Sequence, residues 1–149
     1  MKHFIFSLFI VFFLSCDNDT KTDYKTENNQ EIIDYLSDNN LEAQKSVSGL
    51  YYIVNNAGAG EKPNANSSVT VAYKGYFTNG KVFDQSDANG ISFGLNQVIK
   101  GWTEGIQYFN EGGDGILLVP SHLGYGSSNY NSIPGGSVLI FDVKLITIN

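Results

Sequence analysis

The chain has no arginine, one cysteine, one tryptophan, two histidines and three prolines among its 149 residues. Without arginine there is no planar fork for phosphates or base edges, so nucleic-acid and phosphate recognition lose their usual anchor. The lone thiol, Cys16, cannot close an internal disulfide, so any fold must rest on a hydrophobic core. Ser121–His122 invites a hydrolase reading, yet there is no G-x-S-x-G elbow and no evident partner, and His122 reads as a loop histidine. What the chain does have is 16 glycines, nine tyrosines and ten phenylalanines, which favour turns and strands over a helical bundle. Hydrophobic residues at 42% and charged residues at 16% fit a globular protein, and the length fits one domain with accessories.

The accessories lie at the N-terminus. HFIFSLFIVFFLS, at 3–15, is an apolar run too short for a comfortable membrane span and sits where the apolar region of a secretory signal belongs. It ends at Cys16 behind a small residue, an arrangement similar to bacterial lipoprotein signals, although Phe13 stands where those usually carry leucine. The expectation is a lipoprotein signal peptide at 1–15, cleavage at Ser15–Cys16, and a palmitate-bearing Cys16. Such a chain would be lipid-anchored in the cell envelope, at the outer membrane or the periplasmic face. DNDTKTDYKTENNQ, at 17–30, has no aliphatic residue to offset chain entropy, so 16–30 reads as an acidic flexible tether reaching roughly 20 Å. Residues 31–45 read as a short amphipathic helix and linker. Its apolar face is Ile32, Ile33 and Leu36, it stops at Asn39–Asn40, and it leans on the domain or on a partner subunit. The net charge of −6 belongs mostly to this acidic stretch, which leaves the remainder nearly neutral.

From residue 46 the period becomes alternating. Strands are expected at 50–54, 69–77, 82–83, 92–95, 115–119 and 137–148, with a hairpin turn at TNGK, 78–81. In the last strand Leu139, Phe141, Val143 and Leu145 face one way and Asp142 and Lys144 the other, the pattern of an antiparallel sheet covered on one side. The cover is QVIKGWTEGIQ, at 97–107. Ile99, Trp102, Ile106 and Phe109 fall at i, i+3, i+7 and i+10, one stripe of a short helix. Gly101 and Gly105 flank the tryptophan, and Gly105 weakens the helix by about 1 kcal/mol, which is tolerable where close backbone approach is the return.

Tyr73, GKVFDQS at 80–86, SFGLNQVIKGWTEG at 92–105, VPSHLGYG at 119–126 and SIPGGSVLIFDVKLI at 132–146 together resemble an FKBP-type peptidyl-prolyl cis-trans isomerase over about 46–149. The N-terminal arrangement resembles the lipoprotein isomerases of Bacteroidota, some of them associated with gliding motility. The resemblance implies an α+β fold, a five- to six-stranded antiparallel half-barrel wrapped around one short helix, with an aromatic pocket between them. It implies catalytic roles for Tyr73, Phe83, Asp84, Trp102, Tyr125 and Phe141, and substrate binding by Ile91, Phe93, Val98, Ile99, Tyr130 and Ile133. Ile91 falls where many members carry an aromatic, Pro134–Gly135 where members commonly carry two prolines, and Tyr130 roughly where others place histidine or another bulky group. The implied ligands are proline-containing polypeptides and macrolide inhibitors, with the membrane reached through the lipid anchor, no nucleic acid, and no cofactor or metal.

The chemistry fits these residues. Rotation about an X-Pro bond breaks no covalent bond and needs no nucleophile; its barrier, ~20 kcal/mol, is the loss of planar resonance. A dry aromatic pocket favours the twisted amide, which has lost charge separation, over the planar hydrated one. In this reading Trp102 is the floor beneath the proline ring, and Ile99 N–H and the Tyr125 hydroxyl hold substrate carbonyls. Asp84 orders the polar rim by accepting from Tyr73. The competing functions are a non-catalytic module that grips proline-containing segments and a structural component of an envelope motility complex.

Overall fold

The computed structural model describes residues 22–149, so the expected signal peptide, the lipidation at Cys16 and the start of the expected tether lie outside the described residues. Helix α1 (Tyr24–Asp38) is followed by β1 (Gln44–Lys45), β2 (Tyr51–Asn56), β3 (Ser68–Tyr76), β4 (Val82–Gln85) and β5 (Ile91–Gly94). Helix α2 (Lys100–Gly105), β6 (Asp114–Val119) and β7 (Leu139–Ile148) complete the order. The strands form one antiparallel sheet in the order β1-β2-β6-β7-β3-β4, with β5 pairing the same edge of β3 as β4, at the opposite end of that strand. The fold is therefore an FKBP-like antiparallel sheet with a short helix, and it has seven strands rather than the expected five or six. The unforeseen strand is β1: two residues opposite Tyr51 and Tyr52 are too few to show a period.

Strands β3 and β7 are the longest and pair along most of their length. Their inward residues Val69, Val71, Leu139, Phe141, Val143 and Leu145 join Trp102, Ile106 and Phe109 in the main core. The helical stripe ends sooner than its spacing suggests. Ile99 is the N-cap of α2, and Ile106–Tyr108 is a 3₁₀ turn that carries the chain away from Gly105. The glycines explain how α2 lies so close to the sheet. A Cβ on Gly101 would stand 2.5 Å from Val119 Cγ1, and one on Gly105 would stand 2.7 Å from Leu117 Cδ1.

Helix α1 departs from expectation in two ways. First, it starts at Tyr24, so residues 24–30 are helix and not tether. Asp23 caps it, accepting from the Thr26 hydroxyl at 2.5 Å and from Thr26 N–H at 3.4 Å. At the other end Leu41 N–H donates to the Leu36 carbonyl past Asn40, whose φ of 52° turns the chain. Second, its buried stripe is Asn28, Ile32 and Leu36, while Ile33 remains 41% exposed. Ile32 and Leu36 pack with Tyr51, Leu118, Val138 and Ile140 in a second cluster. Leu118 and Ile140 belong to the sheet face expected to be wet; α1 covers it there, while Lys74, Asp142 and Lys144 on that face remain exposed. Helix α1 is thus packed into the same folded unit as the strands.

Gly101→Ala tests the close approach. Val119 is fully buried and its β-branched side chain is stiff, so the added methyl should destabilise by about 1–3 kcal/mol. That exceeds the ~1 kcal/mol gained from alanine's helix propensity. A denaturant midpoint should fall for Gly101→Ala, and fall much less when the substitution is made in a Val119→Ala background. An unchanged midpoint for the single variant would mean that α2 does not lie against β6 as described.

Candidate functional site

Where α2 begins, the sheet and helix leave a cavity of about 490 Å³. Strand β3 contributes Tyr73, β4 contributes Phe83 and Asp84, β5 contributes Ile91 and Phe93, and β7 contributes Phe141. The approach to α2 adds Gln97, Val98 and Ile99, the helix adds Trp102, and the β6–β7 loop adds Tyr125 and Tyr130. All the expected site residues among the described residues line this cavity except Ile133. That residue is buried in the main core and does not line the cavity; reciprocal 2.9 Å backbone hydrogen bonds join it to Tyr130. Gln97 was not expected. It is an exposed polar residue in the turn Leu95–Gln97, and only its place before Val98–Ile99 could have drawn attention to it.

The walls are aromatic and mutually braced. The Trp102 ring meets Tyr73 edge-on at 5.0 Å and Phe141 at 5.3 Å, and Phe93 lies tilted against it at 5.4 Å. Phe83 meets Phe141 edge-on at 5.6 Å. These separations suit quadrupolar edge-to-face contacts, so the rings hold one another's orientation as well as excluding water. Gly75, opposite both Asp84 and Phe141 in the sheet register, makes room for the Phe83 and Phe141 rings: a Cβ there would stand 2.7 Å from Phe83 Cζ and 2.9 Å from Phe141 Cε1. Trp102 Nε1 is buried without a hydrogen-bond partner among the described residues, so nothing polar draws the indole away from its apolar setting.

Polarity is confined to the edge. The Tyr73 hydroxyl donates to Asp84 Oδ2 at 2.6 Å, and Asp84 itself is exposed. Burial, and then the carboxylate that accepts its proton, push the Tyr73 phenol well above the ordinary value, so it stays a donor at any physiological pH. The Tyr125 phenol is also raised, by burial first and then by Tyr130 and Asp84. Tyr125 and Tyr130 stack at 4.3 Å with only 6° between ring planes, and both remain partly open to solvent. Ile99 carries the carbonyl that accepts from Trp102 N–H (2.9 Å) and Thr103 N–H (3.1 Å). Its own N–H stands ahead of the helical ladder, where no intrahelical acceptor exists. The arrangement can strip water from a small apolar ring and offer hydrogen-bond donors at the margin. His122 lies elsewhere, its Nε2 2.8 Å from the Ser48 carbonyl, and does not line the cavity.

Residues 59–146 match the family model described as FKBP-type peptidyl-prolyl cis-trans isomerase. The FKBP-type peptidyl-prolyl cis-trans isomerase FkpA of Buchnera aphidicola subsp. Schizaphis graminum is 46% identical over 107 residues, covering 70% of this chain and 42% of that protein. FkpA of Escherichia coli K12 is 44% identical over 105 residues, covering 69% of this chain and 39% of that one. The chain thus spans less than half the length of these curated relatives. The crystal structure of FkpA from Escherichia coli superposes with a TM-score of 0.75 at 37% identity, over 84% of this chain and 61% of that one. The crystal structure of AtFKBP13 gives 0.67 at 31% identity, over 72% of this chain and 99% of that one.

Proposed function

The chain belongs to the FKBP-type peptidyl-prolyl cis-trans isomerase family, and from that premise we propose that it interconverts cis and trans X-Pro bonds in extracytoplasmic polypeptides and so assists their folding. The observation that carries the reading is the ring of aromatic side chains about Trp102, closed on its wet side by the Tyr73–Asp84 hydrogen bond. A proline ring seated on the indole is stripped of water, and the amide behind it passes from a solvated planar state to a twisted one with less charge separation. The apolar walls favour the second state relative to the first, which lowers the barrier without a covalent step. Phe83, Val98 and Phe141 are the walls. Ile99 N–H and the Tyr125 hydroxyl are the donors for carbonyls flanking the proline, fixing the twist by orientation. Asp84 keeps the Tyr73 hydroxyl turned toward itself and orders the rim, with no proton transfer in the reaction. Phe93, Ile91, Gln97 and Tyr130 meet the residues on either side of the proline, and macrolide ligands would enter by the same opening.

The proposal extends to location. An apolar segment ending at Cys16 with an acidic stretch after it supports a lipid-anchored protein of the cell envelope. Among the described residues no helix is long and apolar enough to cross a membrane. Membrane fractionation should find the wild-type chain with the membranes and the Cys16→Ser chain released or unprocessed; a wholly soluble wild-type chain would contradict the anchor.

Two substitutions separate the floor from the rim, read by denaturant midpoint and by protease-coupled kcat/KM on prolyl peptides. Trp102→Ala should lose activity and about 3 kcal/mol of stability, because it empties a core position. Trp102→Leu should keep more of the fold and little turnover. Asp84→Leu alters an exposed residue, so stability should change by less than about 1.5 kcal/mol while kcat/KM falls clearly. Normal turnover by Trp102→Leu would place the reaction outside this cavity, and full turnover by Asp84→Leu would remove Asp84 from the mechanism.

A further inference from the structure

The β6–β7 loop carries Tyr125 and Tyr130, and both its ends are joined to α1 through one side chain. Asn28 is 2% exposed. Its Oδ1 accepts from Ser121 N–H at 2.8 Å, and its Nδ2 donates to the Gly136 carbonyl at 2.8 Å. Because one partner is a backbone donor and the other a backbone acceptor, the orientation of the amide is fixed by its partners. The loop completes the circuit. Gly136 N–H donates to the Gly126 carbonyl and Gly126 N–H to the Ser121 carbonyl, each at 2.8 Å. The result is a closed ring of hydrogen bonds, Asn28 to Gly136 to Gly126 to Ser121 and back, in which Asn28 is the only member from outside the loop.

The same helix face supplies a second contact. Tyr24, one turn before Asn28, lies against Gly136, where any Cβ would overlap its ring. Tyr24, Asn28, Ile32 and Leu36 are therefore one i, i+4 stripe with two halves: the first two residues hold the loop and the last two cover the sheet. Tyr125 immediately precedes Gly126, whose N–H and carbonyl are both tied into the ring, and Tyr130 stacks on Tyr125 from within the bracketed segment. A buried amide that satisfies two backbone groups at once cannot be replaced by an apolar side chain without stranding both.

We propose that Asn28 is a positioning residue for the isomerase site: it pins the two ends of the 121–136 loop and so sets the place of the Tyr125 hydroxyl over the cavity, which makes α1 part of the catalytic unit. This inference rests on the isomerase reading above. It differs from a purely structural role in one measurable respect, that the catalytic effect of Asn28 must pass through Tyr125.

The test measures kcat/KM on a prolyl peptide with the full chain, at a temperature where each variant is folded by circular dichroism. Asn28→Ala should lower kcat/KM about tenfold in the wild-type background and by less than about twofold in a Tyr125→Phe background. Ile32→Val loosens the same helix without touching the ring and should leave kcat/KM unchanged. If Asn28→Ala does not fold, Asn28→Asp serves, since it keeps the acceptor for Ser121 and loses the donor for Gly136. Unchanged kcat/KM for the Asn28 variant, an undiminished loss in the Tyr125→Phe background, or an equal loss in Ile32→Val each overturns the proposal. A wild-type chain without isomerase activity overturns the isomerase reading and this one with it; an active wild type beside an equally active Asn28 variant overturns this one alone.

Discussion

The near contact between α2 and β6 sets the position of everything else in the cavity. Two missing side chains, at Gly101 and Gly105, let the helix backbone settle onto Val119 and Leu117, and Trp102 between them is thereby driven into the mouth of the half-barrel. The cost is helix propensity, about 1 kcal/mol at each glycine. The return is a large aromatic floor whose height is fixed by backbone packing and not by a flexible side chain. The rings of Tyr73 and Phe141 then take their orientations from edge contacts with that indole, Phe93 lies tilted against it, and Phe83 takes its own orientation from Phe141.

Around this dry floor the polar groups keep to a margin. The 2.6 Å bond from Tyr73 to Asp84 occupies the carboxylate that would otherwise draw water inward, while the charge itself stays exposed. On the other side, the loop bearing Tyr125 and Tyr130 is held by the ring of hydrogen bonds that ends on α1. Floor and rim thus depend on different parts of the chain, the floor on a glycine-spaced helix and the rim on strand β4 and on the N-terminal helix.

Much of this was legible in the sequence, for reasons that can be given residue by residue. Strands β3 and β7 announced themselves because one face is buried throughout, so alternation survives in the residue types. The lining of the cavity was legible through the resemblance to FKBP-type isomerases, which marks each residue by its motif; on alternation alone Tyr73 and Phe141 read as core. Less visible was anything that depends on a polar residue being buried. Residues 24–30 have no aliphatic side chain, and hydrophobic periodicity gave no hint that Asn28 would bury itself by bonding two backbone groups. Ile140 and Leu118 lie on the face that alternation marks as wet, and they are dry because a helix from far along the chain covers them. Ile133 was assigned to the pocket by the family resemblance, but it is buried in the core beside its backbone pairing with Tyr130, and Gln97 reaches the lining with no pattern to mark it.

The central claim is that the apolar cavity over Trp102 accelerates rotation of an X-Pro bond, and exchange spectroscopy by NMR reads that rotation directly. With an Ala-Leu-Pro-Phe peptide in large excess, the free peptide exchanges over tens of seconds, too slowly for cross peaks between its cis and trans resonances at mixing times of a fraction of a second. Adding a small fraction of the wild-type chain should produce those cross peaks without changing the cis:trans ratio, and Trp102→Leu should not produce them at the same concentration. Absence of exchange with a folded wild-type chain across several prolyl peptides would contradict the account.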